Sequence, residues 1–318
     1  MKTVVSSAAA IAAVTVDAAA IPDVSGTLQN ILQNTHGSDL YNYPTDLTRG
    51  IIPKPFHSHN DYWRDVPFYS GLSYGAVSTE ADVWLVNGTL HVGHEESALT
   101  SARTFASLYI DPILDTLHRQ NPITPFAPNP TKNGVFDTSS GQTLYLWIDL
   151  KTSADDTFPA AHAALQPLRD AGFLTTYYPG NDTLVKGAVT AIGTGNTRLS
   201  DVLDQDAAVR DVFYDAPLAA LPENITGPEI SPIASTQFSA HFGKVTSADV
   251  PALNDSSLAL LKEQVDAAHA KGIGARYWDT PGYPIGTRNA VWRTLIDAGV
   301  DLLNVDDLAG AAGLWERE

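Results

Sequence analysis

Residues 75–94 read Gly-Ala-Val-Ser-Thr-Glu-Ala-Asp-Val-Trp-Leu-Val-Asn-Gly-Thr-Leu-His-Val-Gly-His. Over Gly75 to Val86 the alternation is that of a β-strand, with Val77, Thr79, Ala81, Val83 and Leu85 on one face and Ser78, Glu80, Asp82 and Trp84 on the other. Glu80 and Asp82 therefore point the same way. Asn87-Gly88 is a tight-turn signal, and Thr89 to Val92 returns as a short strand that ends beside His94.

Working outward, Ile51 to Phe56 reads as a strand that delivers His57 and His59 at its C-terminal end. Leu144 to Asp149 reads as another, with Lys151 two residues beyond Asp149 and on the same side. Asp255 or Ser256 caps a helix carrying Leu258, Leu261, Val265 and Ala268 at helical spacing, closed by Gly272. Ile273 to Trp278 is then a strand, Thr287 to Ala298 a helix, and Val300 to Val305 a last strand. Asn121 to Gln142 lacks periodicity and reads as a long surface loop near the strand ends. Asn181 to Pro232 carries no readable specificity motif. β and helical segments alternate from about Ile51 onward without a linker. The expected fold is α/β, a single-domain TIM-type (β/α)8 barrel over 51–318.

The chain has 318 residues and a net charge of -17, a field that repels nucleic acid and anionic membranes. A phosphorylated substrate then requires a locally cationic site, such as a metal. Residues 1–20 combine Lys2, a small apolar run and Ala18, Ala19 and Ala20, the pattern of a secretory signal peptide, and 21–50 follow as an N-terminal extension. Sequons at Asn87, Asn181, Asn224 and Asn254 are consistent with export and glycosylation. The chain contains no cysteine, so a thiol nucleophile and cysteine-ligated zinc are excluded and stability must come from a large core.

Glu80, Asp82 and Asp149 each sit near the end of a β segment, and in a parallel barrel those ends converge. An all-carboxylate set suits a hard divalent cation, Mg²⁺ or Ca²⁺. Burying Glu80 and Asp82 together without a cation is costly. His59 and His94 are the acid/base candidates, because imidazole exchanges a proton near neutral pH. His57 and His91 alternate in phase with them as supporting partners. Lys151 either neutralises a phosphoryl oxygen or pairs with Asp149, and the excess negative charge favours the first. Trp278 walls a substrate pocket or packs in the core.

These residues resemble a family. The run from Gly75 to Glu95 is similar to the region of the glycerophosphodiester phosphodiesterase superfamily in which Glu-x-Asp precedes His-Asp. Ile148-Asp-Leu-Lys-Thr152 resembles the third metal-ligand strand of sphingomyelinase D enzymes, and Tyr277-Trp278, Ala298-Gly-Val-Asp301 and Asn304 resemble their last two strands. His57-Ser-His-Asn-Asp-Tyr62 and Leu108-Tyr-Ile-Asp-Pro112 are similar to the fungal altered-inheritance-of-mitochondria branch of these phospholipase C-like proteins.

The resemblance covers most of the chain after Ile51. It implies a TIM-type barrel, Glu80, Asp82 and Asp149 as metal ligands, and His59 and His94 as the catalytic pair. His57, Asn60, Lys151 and Trp278 are the accompanying substrate-side candidates. Two departures stand out: His59 is followed by Asn60-Asp61 where glycerophosphodiesterases have Arg-Gly, and His94 is followed by Glu95 in place of Asp. His59 is preferred over His57 because its 21-residue separation from Glu80 better matches the sphingomyelinase D spacing.

The expectation is a secreted phosphodiesterase using one Mg²⁺ or Ca²⁺ and acting on a glycerophosphodiester or phospholipid-like substrate. The chain is expected to act as a monomer, without nucleic acid and with at most transient membrane-surface contact. Two other readings are a different substrate at the same site and a binding protein with a degenerate site.

Overall fold

The computed structural model describes residues 26–34, 40, 43–129, 131–206 and 208–315. The expected signal peptide at 1–20 lies outside the described residues. The chain divides into residues 1–43, in which a helix spans Gly26–Asn34, and residues 44–318. No described helix is long and apolar enough to cross a membrane.

The second unit carries β1 (Lys54–Ser58), β2 (Ala76–Val86), β3 (Thr89–Val92), β4 (Leu144–Leu150), β5 (Thr176–Tyr178), β6 (Thr183–Val185), β7 (Val189–Gly195), β8 (Val212–Tyr214), β9 (Ala216–Pro217), β10 (Ile233–Gln237), β11 (Gly274–Trp278) and β12 (Leu302–Val305). The main sheet runs β8-β7-β4-β2-β1-β12-β11-β10-β9, and every pair along it is parallel. Its two ends, β8 and β9, are separated by Asp215 alone. They form one stave bent at that residue, so nine strands make eight staves and the order returns to its start. This is the topology of a (β/α)8 barrel.

The outer faces of the staves are apolar, with Leu146, Ile148 and Leu150 on β4 and Leu303 and Val305 on β12 fully buried. Helix Asp111–Gln120 covers them with Ile113 and Leu117, helix Asp255–His269 with Leu261 and Val265, and helix Ile285–Asp297 with Val291 and Leu295. Each such side chain contributes about 1.5–3 kcal/mol on burial, which is how a chain without disulfides is held.

The structure moves several expected boundaries. β1 runs from Lys54 to Ser58, so His57 lies inside the strand and only His59 emerges from it. The cap of helix Asp255–His269 is Asn254, whose side chain accepts the Ser257 amide; Asp255 falls in the first turn. The 121–142 segment precedes β4 and meets Thr48 and Ile51, at the N-terminal end of the barrel opposite the convergent strand ends. Its described residues do not line the site cavity. Residues 181–232, for which no strand is expected, hold two of the eight staves, and β10, directly after them, is a third without an expected strand. In Val189–Gly195 the two glycines interrupt the apolar alternation, and the stave bent at Asp215 is too short to show a period.

Candidate active site

Around the C-terminal rim, seven of the eight staves contribute side chains: His59 after β1, Glu80 and Asp82 on β2, Asp149 on β4, Thr194 on β7, Asp215 at the β8–β9 bend, Ser235 on β10, and Arg276 and Trp278 on β11. They line a cavity of about 490 Å³.

β2 and β4 pair with Asp82 directly opposite Asp149, and the pleat puts Glu80 two residues below on the same face. The three carboxylates offer oxygens that all lie within 4.8 Å of one another, in a buried to half-buried setting. The backbone N–H of Asn60 donates to Glu80 Oε2 at 2.9 Å; Asn60 adopts φ 49°, a left-handed conformation that Asn tolerates. Asp82 Oδ2 accepts from Tyr62 Oη at 2.8 Å and from Lys151 Nζ at 2.9 Å. Lys151 also donates to Asp149 Oδ2 at 2.7 Å.

Burial, with the charges of Glu80 and Asp149, pushes Asp82 up to about 7. Burial likewise raises Asp149 against the pull of Lys151. Glu80 goes the other way: burial opposes its ionisation, but the His57 and His59 imidazoles and the Arg276 guanidinium hold it below the usual carboxylate range. Asp149 Oδ1 is buried and has no hydrogen-bond partner. Three clustered acids, two of them raised by burial and the Glu80 charge, and an orphaned oxygen fit a hard divalent cation.

His59 Nδ1 donates to Asp306 Oδ1 at 2.8 Å, and its Nε2 lies 3.9 Å from Glu80 Oε2, on the cavity wall. His57 is fully buried, bonded through Nδ1 to Ser78 Oγ at 2.7 Å and set edge-on against Trp147. Burial, then Arg276, lowers it to about 3, so it is neutral. Its place among the substrate-side candidates is corrected: a ring behind Glu80, absent from the cavity lining, has no access to substrate.

The Asn87-Gly88 turn has φ 49° and 79°, both positive as a two-residue hairpin requires. The return strand β3 brings the Gly93 N–H back to the Asp82 carbonyl at 3.2 Å. His94 thereby reaches the cavity, with Nδ1 3.0 Å from Tyr62 Oη and 3.4 Å from Asp82 Oδ2, and its ring packs on Trp63. His91 instead bonds the Thr100 carbonyl and does not line the cavity.

Asn60, Lys151 and Trp278 all line the cavity. The Asn60 side chain is engaged by Tyr62 Oη, and Trp278 is 38 % exposed, a wall residue and not a core one. Sequence reasoning missed Tyr62, Asp215, Arg276 and Asp306 as members of the site. Asp306 had a signal, since it follows the last strand directly. Arg276 had another, a charge at the centre of an apolar strand. Asp215 is fixed by Ser235 Oγ at 2.6 Å and Thr194 Oγ1 at 2.8 Å, and burial raises it to about 6. The four sequon asparagines are exposed.

A sequence-family profile described as "AIM6-like phosphodiesterase domain" matches residues 45–215. The chain is 52 % identical over 323 residues to the altered inheritance of mitochondria protein 6 homolog of Arthroderma benhamiae, covering 99 % of this chain and 100 % of that one. The chain belongs to the altered inheritance of mitochondria protein 6 family. Other family members are more distant: the Candida glabrata protein is 36 % identical over 84 % of this chain and 72 % of its own length. The Saccharomyces cerevisiae protein (strain ATCC 204508 / S288c) shows the same identity and coverage. A crystal structure of a glycerophosphoryl diester phosphodiesterase from Parabacteroides distasonis shares 14 % identity with this chain at a TM-score of 0.41, over 79 % of each chain. Within this family chain, every residue discussed at the rim except Ser235, Arg276, Trp278 and Asp306 lies inside the matched segment.

Proposed function

We propose that this chain is an exported, divalent-cation-dependent phosphodiesterase acting on a glycerophosphodiester or phospholipid-like substrate, with His59 and His94 as its acid/base pair. The observation that carries this reading is the convergence of Glu80, Asp82 and Asp149, with an orphaned Asp149 oxygen, in one cavity that His59 and His94 also line. The family profile supports the reaction class.

Glu80, Asp82 and Asp149 would hold one Mg²⁺ or Ca²⁺, which supplies Lewis-acid polarisation of the phosphoryl oxygens and offsets the carboxylate charge. The Asp306 carboxylate accepts a hydrogen bond from Nδ1–H of His59, which holds the proton on Nδ1 and leaves the Nε2 lone pair on the cavity side to accept a proton from the attacking hydroxyl. His94, half exposed, stacked on Tyr62 and tilted against Trp63, gives a proton to the leaving oxygen. Attack by water yields a monoester, and attack by a neighbouring substrate hydroxyl yields a cyclic phosphate. Tyr62 stays protonated because burial and Asp82 push its phenol well above the ordinary value, so it serves as a fixed donor.

A panel of phosphodiesters assayed with Mg²⁺, Ca²⁺ or EDTA, on the wild-type chain and on Glu80→Ala and His94→Ala, tests the reading. Metal-dependent turnover lost in both variants is expected. Turnover that survives the chelator or both substitutions overturns the mechanism, and product analysis by phosphorus NMR tells hydrolysis from cyclisation. Export is tested by N-terminal sequencing of protein recovered from culture medium; retention of residues 1–20 counts against it.

A further inference from the structure

We infer that Arg276 grips the anionic phosphoryl group of the substrate from the β11 side of the barrel. The inference rests on the phosphodiesterase reading. Arg276 sits in the middle of β11, is 3 % exposed, and yet lines the cavity. Its guanidinium lies 4.4 Å over the Trp147 ring and donates Nε and Nη2 to Asn304 Oδ1, at 3.1 and 2.6 Å. A planar group stacked on one face and bonded along one edge is fixed in orientation.

Its other edge is unspent. Among the described residues Nη1 makes no hydrogen bond, and the nearest carboxylate oxygen, Glu80 Oε1, is 3.9 Å from Nη2, beyond hydrogen-bond distance. The arginines that serve as structural counter-ions behave differently. Arg169 bonds Asp211 at 2.5 and 2.9 Å, and Arg288 bonds Asp307 at 2.6 Å. A buried guanidinium N–H ordinarily finds an acceptor.

The charge in the cavity points the same way. Glu80, Asp82, Asp149 and Asp215 line it, against Lys151 and Arg276. Lys151 is already bonded to Asp82 and Asp149. A phosphodiester carries a negative charge into this wall of acids and needs a cation with a spare donor, which Arg276 supplies. Glu80 directs Oε2 to Asn60, His57 and His59 and Oε1 to Arg276, so the guanidinium and the histidines lie on opposite sides of that carboxylate. A phosphoryl group over the cavity face of Glu80 is then held by the guanidinium on one side and reached by His59 on the other.

The test uses the full chain with Arg276→Gln and Arg276→Lys. Inorganic phosphate binding is measured by calorimetry in Mg²⁺, together with kcat, KM and the Mg²⁺-induced change in Tm. Loss of a charged hydrogen-bonding partner is expected to weaken phosphate binding and raise KM by about 10- to 100-fold in Arg276→Gln, with the Mg²⁺ response retained. Arg276→Lys is expected to recover part of this loss. Unchanged phosphate affinity and KM, with an altered Tm or Mg²⁺ response, would make Arg276 a counter-ion for Glu80 and overturn the inference. Wild-type protein that binds no phosphate overturns it as well. If Arg276→Gln does not fold, Asn304→Ala, which releases the guanidinium but keeps its charge, gives the same readouts. Wild-type protein that binds phosphate through Arg276 but cleaves no phosphodiester refutes the phosphodiesterase reading and leaves this one standing.

Discussion

Asp306 Oδ1 lies 2.8 Å from His59 Nδ1, joining the end of the last stave to the residue that follows the first. The link fixes which ring nitrogen carries the proton. Asp306→Ala is expected to lower kcat by roughly 10- to 100-fold, part of what acid/base catalysis contributes, with KM little changed. Steady-state kinetics across pH check this; an unchanged kcat and pH profile would remove His59 from the mechanism.

Gly195 ends β7 at φ 65°, and a Cβ there would stand 1.9 Å from Asp149 Oδ1. Gly195→Ala therefore meets both a left-handed backbone and the carboxylate of the acidic cluster. A loss of about 1–2 kcal/mol from the backbone alone is expected. Mg²⁺ stabilisation is expected to vanish with it, because Asp149 must rotate away. Thermal melts with and without Mg²⁺ read both effects; retained Mg²⁺ stabilisation would show that Asp149 is dispensable as a ligand.

In metal-free protein Asp82 sits near 7, above its ordinary 3.8, and Asp149 is shifted in the same direction. A carboxyl whose folded value is raised contributes stability that is fully present below about pH 4 and is lost as pH climbs through about 7. Metal-free protein is thus expected to lose on the order of 2–4 kcal/mol over that window from Asp82. Asp82→Asn should flatten the slope, as denaturant titrations at pH 4 and 7.5 would show. Saturating Mg²⁺ at a hundred times its Kd should restore about 2.7 kcal/mol at neutral pH. An equal pH slope in wild type and Asp82→Asn would contradict this.

Asn254 is both a sequon and the cap of helix Asp255–His269, accepting from Ser257 N at 2.9 Å. The two roles separate by substitution. Asn254→Asp keeps the cap and ends the sequon; Asn254→Ala removes both, at about 1 kcal/mol. Protein from a eukaryotic secretory host should show one glycan fewer in each variant, if Asn254 is occupied, and a lower Tm only in Asn254→Ala. Equal melting of the two would dismiss the cap.

Much of the barrel is legible because its cues are local. The β2 alternation, the Asn87-Gly88 turn and the spacing of Leu258, Leu261 and Val265 each follow from side-chain direction or backbone preference within a few residues. The staves that escaped notice, β7, the one bent at Asp215 and β10, are glycine-interrupted or only a few residues long. Their strand state comes from neighbours on both sides. At the site, the reach of Glu80, Asp82 and His94 toward one point was readable, since all three lie on a single hairpin.

By itself, then, the sequence determined the periodicities, the turn, the carboxylates sharing one face and the lack of any thiol chemistry, because these depend on chain geometry and composition alone. The tertiary structure decided which histidine meets the cavity, since β1 runs on to Ser58, which buries His57 against Trp147 and leaves His59 past the strand end. It also decided that Asp306, 247 residues from His59, and Arg276 join the site. Barrel closure makes β1 a neighbour of β12 and sets β11 across the lumen from β4, and no local pattern encodes a contact between staves so far apart in sequence.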